Sequence, residues 1–209
     1  MAYFDHFAGG KSTGIGDWLT ARAIELQFAF LSRHLPHGRS VDILEIGPGH
    51  GEFAARIMSA GLGNYDVVEP NATLRAKLNA LGVRHAKSYL IPDLEEADES
   101  YDAIIMCDVF EHLNDSREAH RFVSEAKRVL RKGGILFILS PDVMDWKEDF
   151  YNCDFSHSNP TTTISRFYRP RPKDGGFFER CSGVSTDMKQ VFAGKHCQPP
   201  AGQSILRSI

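Results

Sequence analysis

The sequence predicts a doubly wound α/β fold, in which a mostly parallel central sheet carries helices on both faces. Two observations support this fold class. Short apolar segments typical of buried strands alternate with segments of helical periodicity, and short glycine-bearing turns join them. In addition, a glycine cluster from Gly47 to Gly51 directly follows the first strand, where α/β sheets commonly bind ligands.

The first part of the chain predicts a helix, a strand and a second helix. Apolar residues recur at helical spacing over residues 15–35, and Pro36 ends that pattern. Residues 41–46 form a short apolar run that is typical of a buried strand. A second helix is predicted over residues 53–60, because Gly61 follows as a terminator.

A second strand–helix unit is predicted over residues 65–68 and 72–81. Asn71 is a favourable N-cap for its helix, and Gly82 is a favourable stop. Residues 83–89 predict a third, weaker strand. The pattern is therefore that of consecutive units of a parallel sheet.

The strongest strand pattern is found over residues 101–107, where a β-rich apolar run indicates burial on both faces. A helix capped by Asp115 or Ser116 is predicted through Arg131. Residues 135–139 predict the last buried strand. Beyond this strand the pattern decays, and we expect an irregular C-terminal extension.

Length and composition bound the function. The 209 residues suffice for one ordinary domain, predicted as residues 1–165, with a divergent tail over residues 166–209. A formal charge of -3 gives no electrostatic case for binding nucleic acid or an anionic membrane. The longest apolar run, residues 135–139, is far shorter than the ~20 residues that span a bilayer. The first residues lack the pattern of a secretory signal, and the 4 cysteines form no Cys-x-x-Cys pair, so a cytoplasmic protein is expected.

The glycine cluster carries the clearest chemical signal. A strand that leads through Gly-x-Gly-x-Gly into a helix lets a ligand approach the backbone amides at the helix N-terminus. The alternative is a tight turn that binds nothing. The three glycines and Pro48 at this junction favour the ligand site.

Acidic residues around the cluster indicate which ligand it takes. A dinucleotide-binding turn needs a glycine where this chain has Glu52, and a carboxylate there would repel a pyrophosphate. Glu45 and Glu69, which close the first two strands, favour a cationic ligand instead. Glu69 lies about 20 residues beyond the glycines, where an acidic side chain accepts hydrogen bonds from ribose hydroxyls.

Four segments, in this order, resemble the motifs of the class I S-adenosylmethionine-dependent methyltransferases. They are Glu45 to Gly51, Val67 to Pro70, Tyr101 to Leu113 and Arg128 to Gly134. The resemblance covers roughly residues 15–141, and it implies a Rossmann-like methyltransferase fold with S-adenosyl-L-methionine as cofactor.

The resemblance implies cofactor contacts at the ends of four strands. The glycine turn would pack against the methionine portion, Glu69 would hold the ribose, and a residue after the third strand would contact the adenine. The cofactor-binding residues expected on these grounds are Glu45, Gly47, Pro48, Gly49, Gly51, Glu69, Pro70, Ser88, Tyr89, Asp108 and Val109.

Two histidines are candidate catalytic residues. His157 lies in a segment that resembles a His-containing element on the acceptor side of many small-molecule methyltransferases. His112 could deprotonate an acceptor hydroxyl, since its ordinary pKa lies near neutrality. The bland alternatives are an exposed turn residue at His157 and a loop-shaping residue at His112.

No metal site is predicted. Five metal-ligand residue types occur late in the chain, but their spacings match no standard zinc pattern. These residues are Cys153, His157, Cys181, His196 and Cys197.

The sequence therefore predicts a methyltransferase for a small-molecule acceptor, with a hydroxyl of a metabolite or sugar among the expected groups. A cofactor-binding protein without turnover is the alternative, regulatory or inactivated by a divergent C-terminus. A nicotinamide-dependent oxidoreductase is the third possibility. The acceptor, the oligomeric state and the need for a general base stay open, because methyl transfer needs no fixed nucleophile from the enzyme.

Overall fold

The computed structural model describes residues 15–152, 154–160, 165–169 and 177–180, with side chains described for residues 18–152 and 154–160. Its strands are β1 (Val41–Ile46), β2 (Gly63–Val68), β3 (His85–Lys87), β4 (Tyr101–Cys107), β5 (Leu130–Leu139), β6 (Ser165–Arg169) and β7 (Phe177–Arg180). Its helices are α1 (Ile15–Ser32), α2 (Glu52–Ser59), α3 (Ala72–Leu81), α4 (Ser116–Val129), α5 (Val143–Trp146) and α6 (Asp149–Asn152). A 3₁₀ turn spans Phe110–His112.

The described strands form one sheet in the order β3-β2-β1-β4-β5-β6-β7. Strands β1 to β5 are parallel, and β1 pairs with both β2 and β4. The strand order therefore reverses at β1, and this topology leaves a crevice at the carboxyl ends of β1 and β4. Ile46 lies beside Val68 on one neighbour and Met106 on the other, so the turns that leave these strands start side by side.

The strands bury both faces, which explains their nearly continuous apolar sequences. On β1, Val41 and Ile43 pack into the cluster that includes residues of α1, α2 and α3, whereas Leu44 and Ile46 pack into the cluster under α4. Phe122 of α4 is fully buried there, which contributes about 1.5–3 kcal/mol. The predicted doubly wound α/β class is confirmed.

Helix boundaries follow local chemistry. The Asn71 side chain caps α3 by accepting hydrogen bonds from the amides of Thr73 and Leu74 at 2.9 and 3.0 Å. Asp115 caps α4 in the same way. Helix α1 ends at Ser32 rather than at residue 35, where a turn follows.

The end of α4 differs from the predicted one at Arg131. The helix stops at Val129 because Leu130 is extended and pairs with Tyr101, so β5 starts five residues earlier than the apolar run suggests. Pairing of Leu130 with β4 therefore ends this helix.

The prediction of an irregular chain after residue 166 is wrong for two segments. Strand β6 pairs antiparallel with β5, and β7 pairs antiparallel with β6. Pairing with a neighbouring strand forms these strands, although their own sequences show no alternating pattern that would predict them. The rest of the predicted tail lies outside the described residues, and the division at residue 165 stays a prediction.

Candidate functional site

The candidate site lies at the carboxyl edge of the sheet, defined here by the residues that follow β1, β2 and β4: Gly47–Gly51, Glu69–Asn71 and Asp108–His112. All three segments leave adjacent strands at the point where the strand order reverses. This is the position at which open α/β sheets bind ligands. The structure thus brings most of the predicted site residues together.

The glycine turn has a backbone that side chains would obstruct. Gly47 has a φ of 65°, and a Cβ there would lie 2.5 Å from Cγ2 of Val109. Gly49 has a φ of 55° with nothing within 4 Å of a Cβ, so open space lies beside its backbone. The Pro48 carbonyl accepts a hydrogen bond from the amide of Gly51, which is the N-cap of α2. The turn therefore presents exposed backbone at a helix N-terminus.

Glu69 connects the end of β2 to the glycine turn. Its Oε1 accepts a hydrogen bond from the Asn71 amide at 2.8 Å, and the Gly49 amide also donates to its carboxylate. Burial raises the pKa of Glu69 above its ordinary value, although these two amides and Arg75 oppose the shift. Arg75 donates to the backbone carbonyls of Glu69 and Pro70, at 2.8 and 3.0 Å.

Glu45 lies near the end of β1, two residues before the glycine turn. It is 2% exposed, and its Oε2 accepts a hydrogen bond from the Tyr65 hydroxyl at 2.8 Å. Burial raises its pKa to about 7, and the nearby charge of Glu69 adds to the shift, while Tyr65 opposes it. A nearby cation would stabilise the ionised forms of both carboxylates.

Asp108 and Val109 follow β4, and the Val109 side chain lies against Gly47 of the glycine turn. Asp108 has a φ of 54°, in the left-handed region that non-glycine residues seldom adopt. Its amide donates to the Leu139 carbonyl at 2.9 Å, which holds this conformation in place. Strained backbone of this kind is characteristic of functional sites.

The predicted adenine contacts lie after β3. Ser88 is exposed, and Tyr89 is half-buried with its hydroxyl donating to Glu96. Burial, followed by Glu96, raises the pKa of Tyr89. The Tyr89 hydroxyl is thus engaged within the protein, and the contacts expected at Ser88 and Tyr89 stay predictions.

The two predicted catalytic histidines are adjacent. The ring centroids of His112 and His157 lie 4.9 Å apart with an edge-on packing. His157 is buried, so it is not the exposed turn residue that was the alternative interpretation. Burial, followed by the neighbouring His157, lowers the pKa of His112, so its neutral form is favoured.

Glu111 is the site residue that the sequence reasoning passed over. It is 1% exposed and lies beside both histidines, and its pKa is raised by burial and then by Asp108. An acidic residue directly before His112 was the available signal, but only the fold shows that His157 joins the pair. Of the late residues considered as metal ligands, Cys153, Cys181, His196 and Cys197 lie outside the described residues.

A comparison with protein families identifies the middle of the chain. Residues 44–138 match the family model described as a methyltransferase domain. A protein of Mycolicibacterium smegmatis, named as a probable S-adenosylmethionine-dependent methyltransferase, is 33% identical over 105 residues. The match covers 48% of this chain and 38% of that relative, so it concerns the domain and not the whole relative.

Solved structures share the fold. A SAM-dependent methyltransferase from Thermotoga maritima, named as a possible histamine N-methyltransferase, superimposes with a TM-score of 0.55 at 24% identity, covering 70% of this chain and 68% of its own. A chain from a Haloferax volcanii complex of the Trm112 methyltransferase activator gives 0.57 at 18% identity, covering 72% of this chain and 66% of that one.

These findings confirm the class I resemblance, and S-adenosyl-L-methionine is the cofactor of this family. Within the described residues, no helix combines the length and apolar character needed to cross a membrane. The cytoplasmic location stays a prediction.

Proposed function

We propose that this chain, whose residues 44–138 belong to the methyltransferase-domain family, is an S-adenosylmethionine-dependent methyltransferase that acts on a small-molecule acceptor. A hydroxyl of a metabolite or sugar is the acceptor group that we expect. The observation that carries the proposal is the acidic carboxyl edge beside an open glycine turn. There, burial raises the pKa of Glu45 and Glu69, and a cationic ligand would relieve that penalty.

The residues at this edge fit the cofactor. A Cβ on Gly47 would meet Val109, whereas the space beside Gly49 is open for a ligand. The Glu69 carboxylate is a suitable acceptor for ribose hydroxyls, because it is held by two backbone amides. Glu52 opens α2 where a pyrophosphate would need a neutral residue, which disfavours a dinucleotide.

S-adenosylmethionine supplies a methyl group on a positively charged sulfur that a nucleophile can displace. The chain's own contribution is to orient the acceptor and exclude water, which can lower a barrier by several kcal/mol, up to about 7–11 at the limit. Val109 borders the turn, and His112 and His157 lie beyond it in the chain, where His157 contacts Phe150 of α6. The histidines are therefore proposed to contact the acceptor, with a role as base only if the acceptor must lose a proton.

Calorimetry distinguishes the cofactor classes. We expect S-adenosylhomocysteine to bind with a stoichiometry of one and NADH to give no binding heat. Binding of NADH alone would contradict the proposal and favour the oxidoreductase interpretation.

Turnover needs a second experiment. S-adenosylmethionine labelled in its methyl group is incubated with the protein and a cell extract, and the label is followed into small-molecule, protein and nucleic-acid fractions. We expect label in the small-molecule fraction. Label in a macromolecular fraction would contradict the proposed acceptor class, and binding without any transfer would support a cofactor-binding protein without turnover.

A further inference from the structure

Three potential ligand groups converge beyond β4. A carboxylate oxygen of Glu111 and one ring nitrogen each of His112 and His157 all lie within 4.8 Å of one another. Two backbone hydrogen bonds hold the segment of His157 against that of Glu111: the amides of Ser158 and Asn159 donate to the Glu111 carbonyl at 2.8 and 2.9 Å. The cluster is therefore built by the fold and does not depend on exposed side chains meeting by chance.

Glu111 brings an unsatisfied oxygen into this cluster. Its side chain is 1% exposed, and within the described part of the chain its Oε2 has no hydrogen-bond partner. Burying a carboxylate oxygen without a donor is costly, and such groups are rare in folded proteins. A cation at this position would satisfy it.

The hydrogen bonds of the two histidines determine which nitrogen can act as a ligand. Nδ1 of His157 lies 2.5 Å from the Phe150 carbonyl, which can only accept, so Nδ1 carries the proton. Nδ1 of His112 lies 2.6 Å from Oγ of Ser156, whose own proton is donated to Asp154 at 2.7 Å. Nδ1 of His112 must therefore also donate.

In both rings the lone pair is consequently left on Nε2. A metal-bound histidine typically has this arrangement, in which the second nitrogen donates to a protein acceptor that orients the ring. The chain from His112 through Ser156 to Asp154 ends on a carboxylate, as such supporting networks often do.

We propose that Glu111, His112 and His157 bind one divalent transition-metal cation, of which Zn²⁺ is the representative. Two imidazoles and one carboxylate suit Zn²⁺, Co²⁺, Ni²⁺ and Fe²⁺ better than Mg²⁺ or Ca²⁺. Ligand atoms that share a tetrahedral Zn²⁺ are about 3.4 Å apart, so atoms that lie within 4.8 Å of one another close in by at most about 1.4 Å when the ion binds. Three protein ligands leave a coordination position open, as in catalytic zinc sites.

The open position gives the ion a role next to the acceptor. Glu111 and His112 follow shortly after Asp108 and Val109, which directly follow β4. An ion held by the cluster would bind a water or an oxygen of the acceptor at its open position. This role rests on the proposed methyltransferase function, whereas the binding of the ion itself does not. An acceptor with a hydroxyl oxygen is the class that such an ion would orient.

Cobalt serves as the probe, because Co²⁺ substitutes for Zn²⁺ and absorbs visible light when bound. Untagged full-length protein is freed of metals with a chelator, dialysed and titrated with Co²⁺. We expect one equivalent to bind with visible absorption bands. Glu111→Gln, which preserves the side-chain shape, should weaken the affinity at least about 100-fold, since loss of an outer-shell partner alone costs 10–100-fold.

Two further variants make the result interpretable. His112→Gln removes a half-buried ligand and carries the test if Glu111→Gln does not fold, as judged by circular dichroism. His120→Ala removes an exposed histidine on α4 and should leave the Co²⁺ affinity unchanged. The inference is overturned if Co²⁺ does not bind, if the ligand variants bind it like the wild type, or if a thiolate-to-cobalt band places the ion on cysteines.

The same titrations separate this inference from the proposed function. Glu69→Ala should weaken binding of S-adenosylhomocysteine and leave Co²⁺ binding unchanged. If wild-type protein binds Co²⁺ as expected but not S-adenosylhomocysteine, the metal site stands and the proposed function fails. The reverse result leaves the function standing and removes the metal site.

Discussion

The acidic residues toward the two ends of the parallel sheet differ in their partners and in the direction of their pKa shifts. Toward the amino edge, the group Asp42, Asp66 and Asp102, of which Asp66 lies within β2 opposite the first residue of β3, binds arginines: Arg84 donates to Asp66 at 2.6 Å, and Arg131 donates to Asp102 at 2.8 Å. Burial alone would raise the pKa of Asp66 and Asp102, but hydrogen bonds, chiefly from Arg84 to Asp66 and from Arg39 to Asp102, hold both values below the ordinary range.

At the carboxyl edge, Glu45 lies next to the last residue of β1, and Glu69 and Glu111 follow β2 and β4; burial raises the pKa of all three. Within the described residues, none of the three carboxylates forms an ion pair with an arginine or lysine; Arg75 donates to the carbonyl of Glu69 instead. The amino edge is therefore neutralised by the protein itself, whereas the carboxyl edge has no such partner among the described residues, which fits the cationic ligand proposed above. This contrast supports the carboxyl edge as the candidate functional end of the sheet.

The largest expected effect is at the glycine turn. Gly49→Val should abolish binding of S-adenosylhomocysteine, because the new side chain occupies the open space beside the backbone. Gly133→Val is the matched control, since Gly133 also has a positive φ, 81°, with nothing within 4 Å. Both variants bear a conformational cost of about 1–2 kcal/mol. Calorimetry that finds equal loss in both, or binding retained by a folded Gly49→Val protein, would contradict the assignment.

A stability test addresses the amino edge. Asp66→Ala removes the acceptor shared by Arg84, His85 and Tyr101. Loss of one partner of a fully buried pair costs about 3–5 kcal/mol; because the Arg84 side chain is 36% exposed, water compensates in part, and we expect about 3–4 kcal/mol in urea unfolding. Affinity for S-adenosylhomocysteine should stay unchanged; a weakened affinity would remove the distinction between the edges.

The pH dependence of stability sharpens the contrast. The folded-state pKa of Glu45 is raised from 4.5 to about 7. Because the folded protein then binds a proton that the unfolded chain releases, the contribution of Glu45 to the free energy of unfolding is greatest below pH 4.5 and is lost as the pH rises to about 7. Each pKa unit corresponds to about 1.4 kcal/mol, so the loss is about 3 kcal/mol. Glu45→Gln keeps an acceptor for Tyr65 and should flatten this decline in unfolding measurements across that pH range. Identical profiles for both proteins would argue against an uncompensated carboxylate.

The smallest effect is expected at Glu69, the proposed contact to the cofactor's ribose. Glu69→Ala should weaken binding of S-adenosylhomocysteine by about 1.5–3 kcal/mol, because it removes a charged acceptor of ribose hydroxyls. Glu69 lies three residues beyond Asp66 in the chain. Asp66→Ala and Glu69→Ala therefore compare a carboxylate within β2 that pairs with an arginine and a carboxylate directly after β2 that, in the described part of the chain, does not. An affinity equal to that of the wild type would show that Glu69 does not hold the ribose.

Much of the fold was predictable because its signals are local. The capping of α3 by Asn71 depends on residues within one helical turn, and its predicted bounds agree with the structure. Strand β6 was missed, because its order comes from pairing with β5 and not from its own alternation. The start of β5 at Leu130 was missed for the same reason, since it depends on Tyr101.

The sequence by itself determined the alternation of strands and helices, the glycine turn and the acids at the strand ends. Hydrophobic periodicity, helix caps and glycines with a positive φ depend on residues that are close together in the chain, so they can be interpreted without knowledge of the fold. Only the tertiary structure decided which carboxylates receive arginine partners and that Glu111 and His112 meet His157. Those contacts join residues that are far apart in the chain, and they arise from the spatial arrangement of the strands and of the segments that follow them.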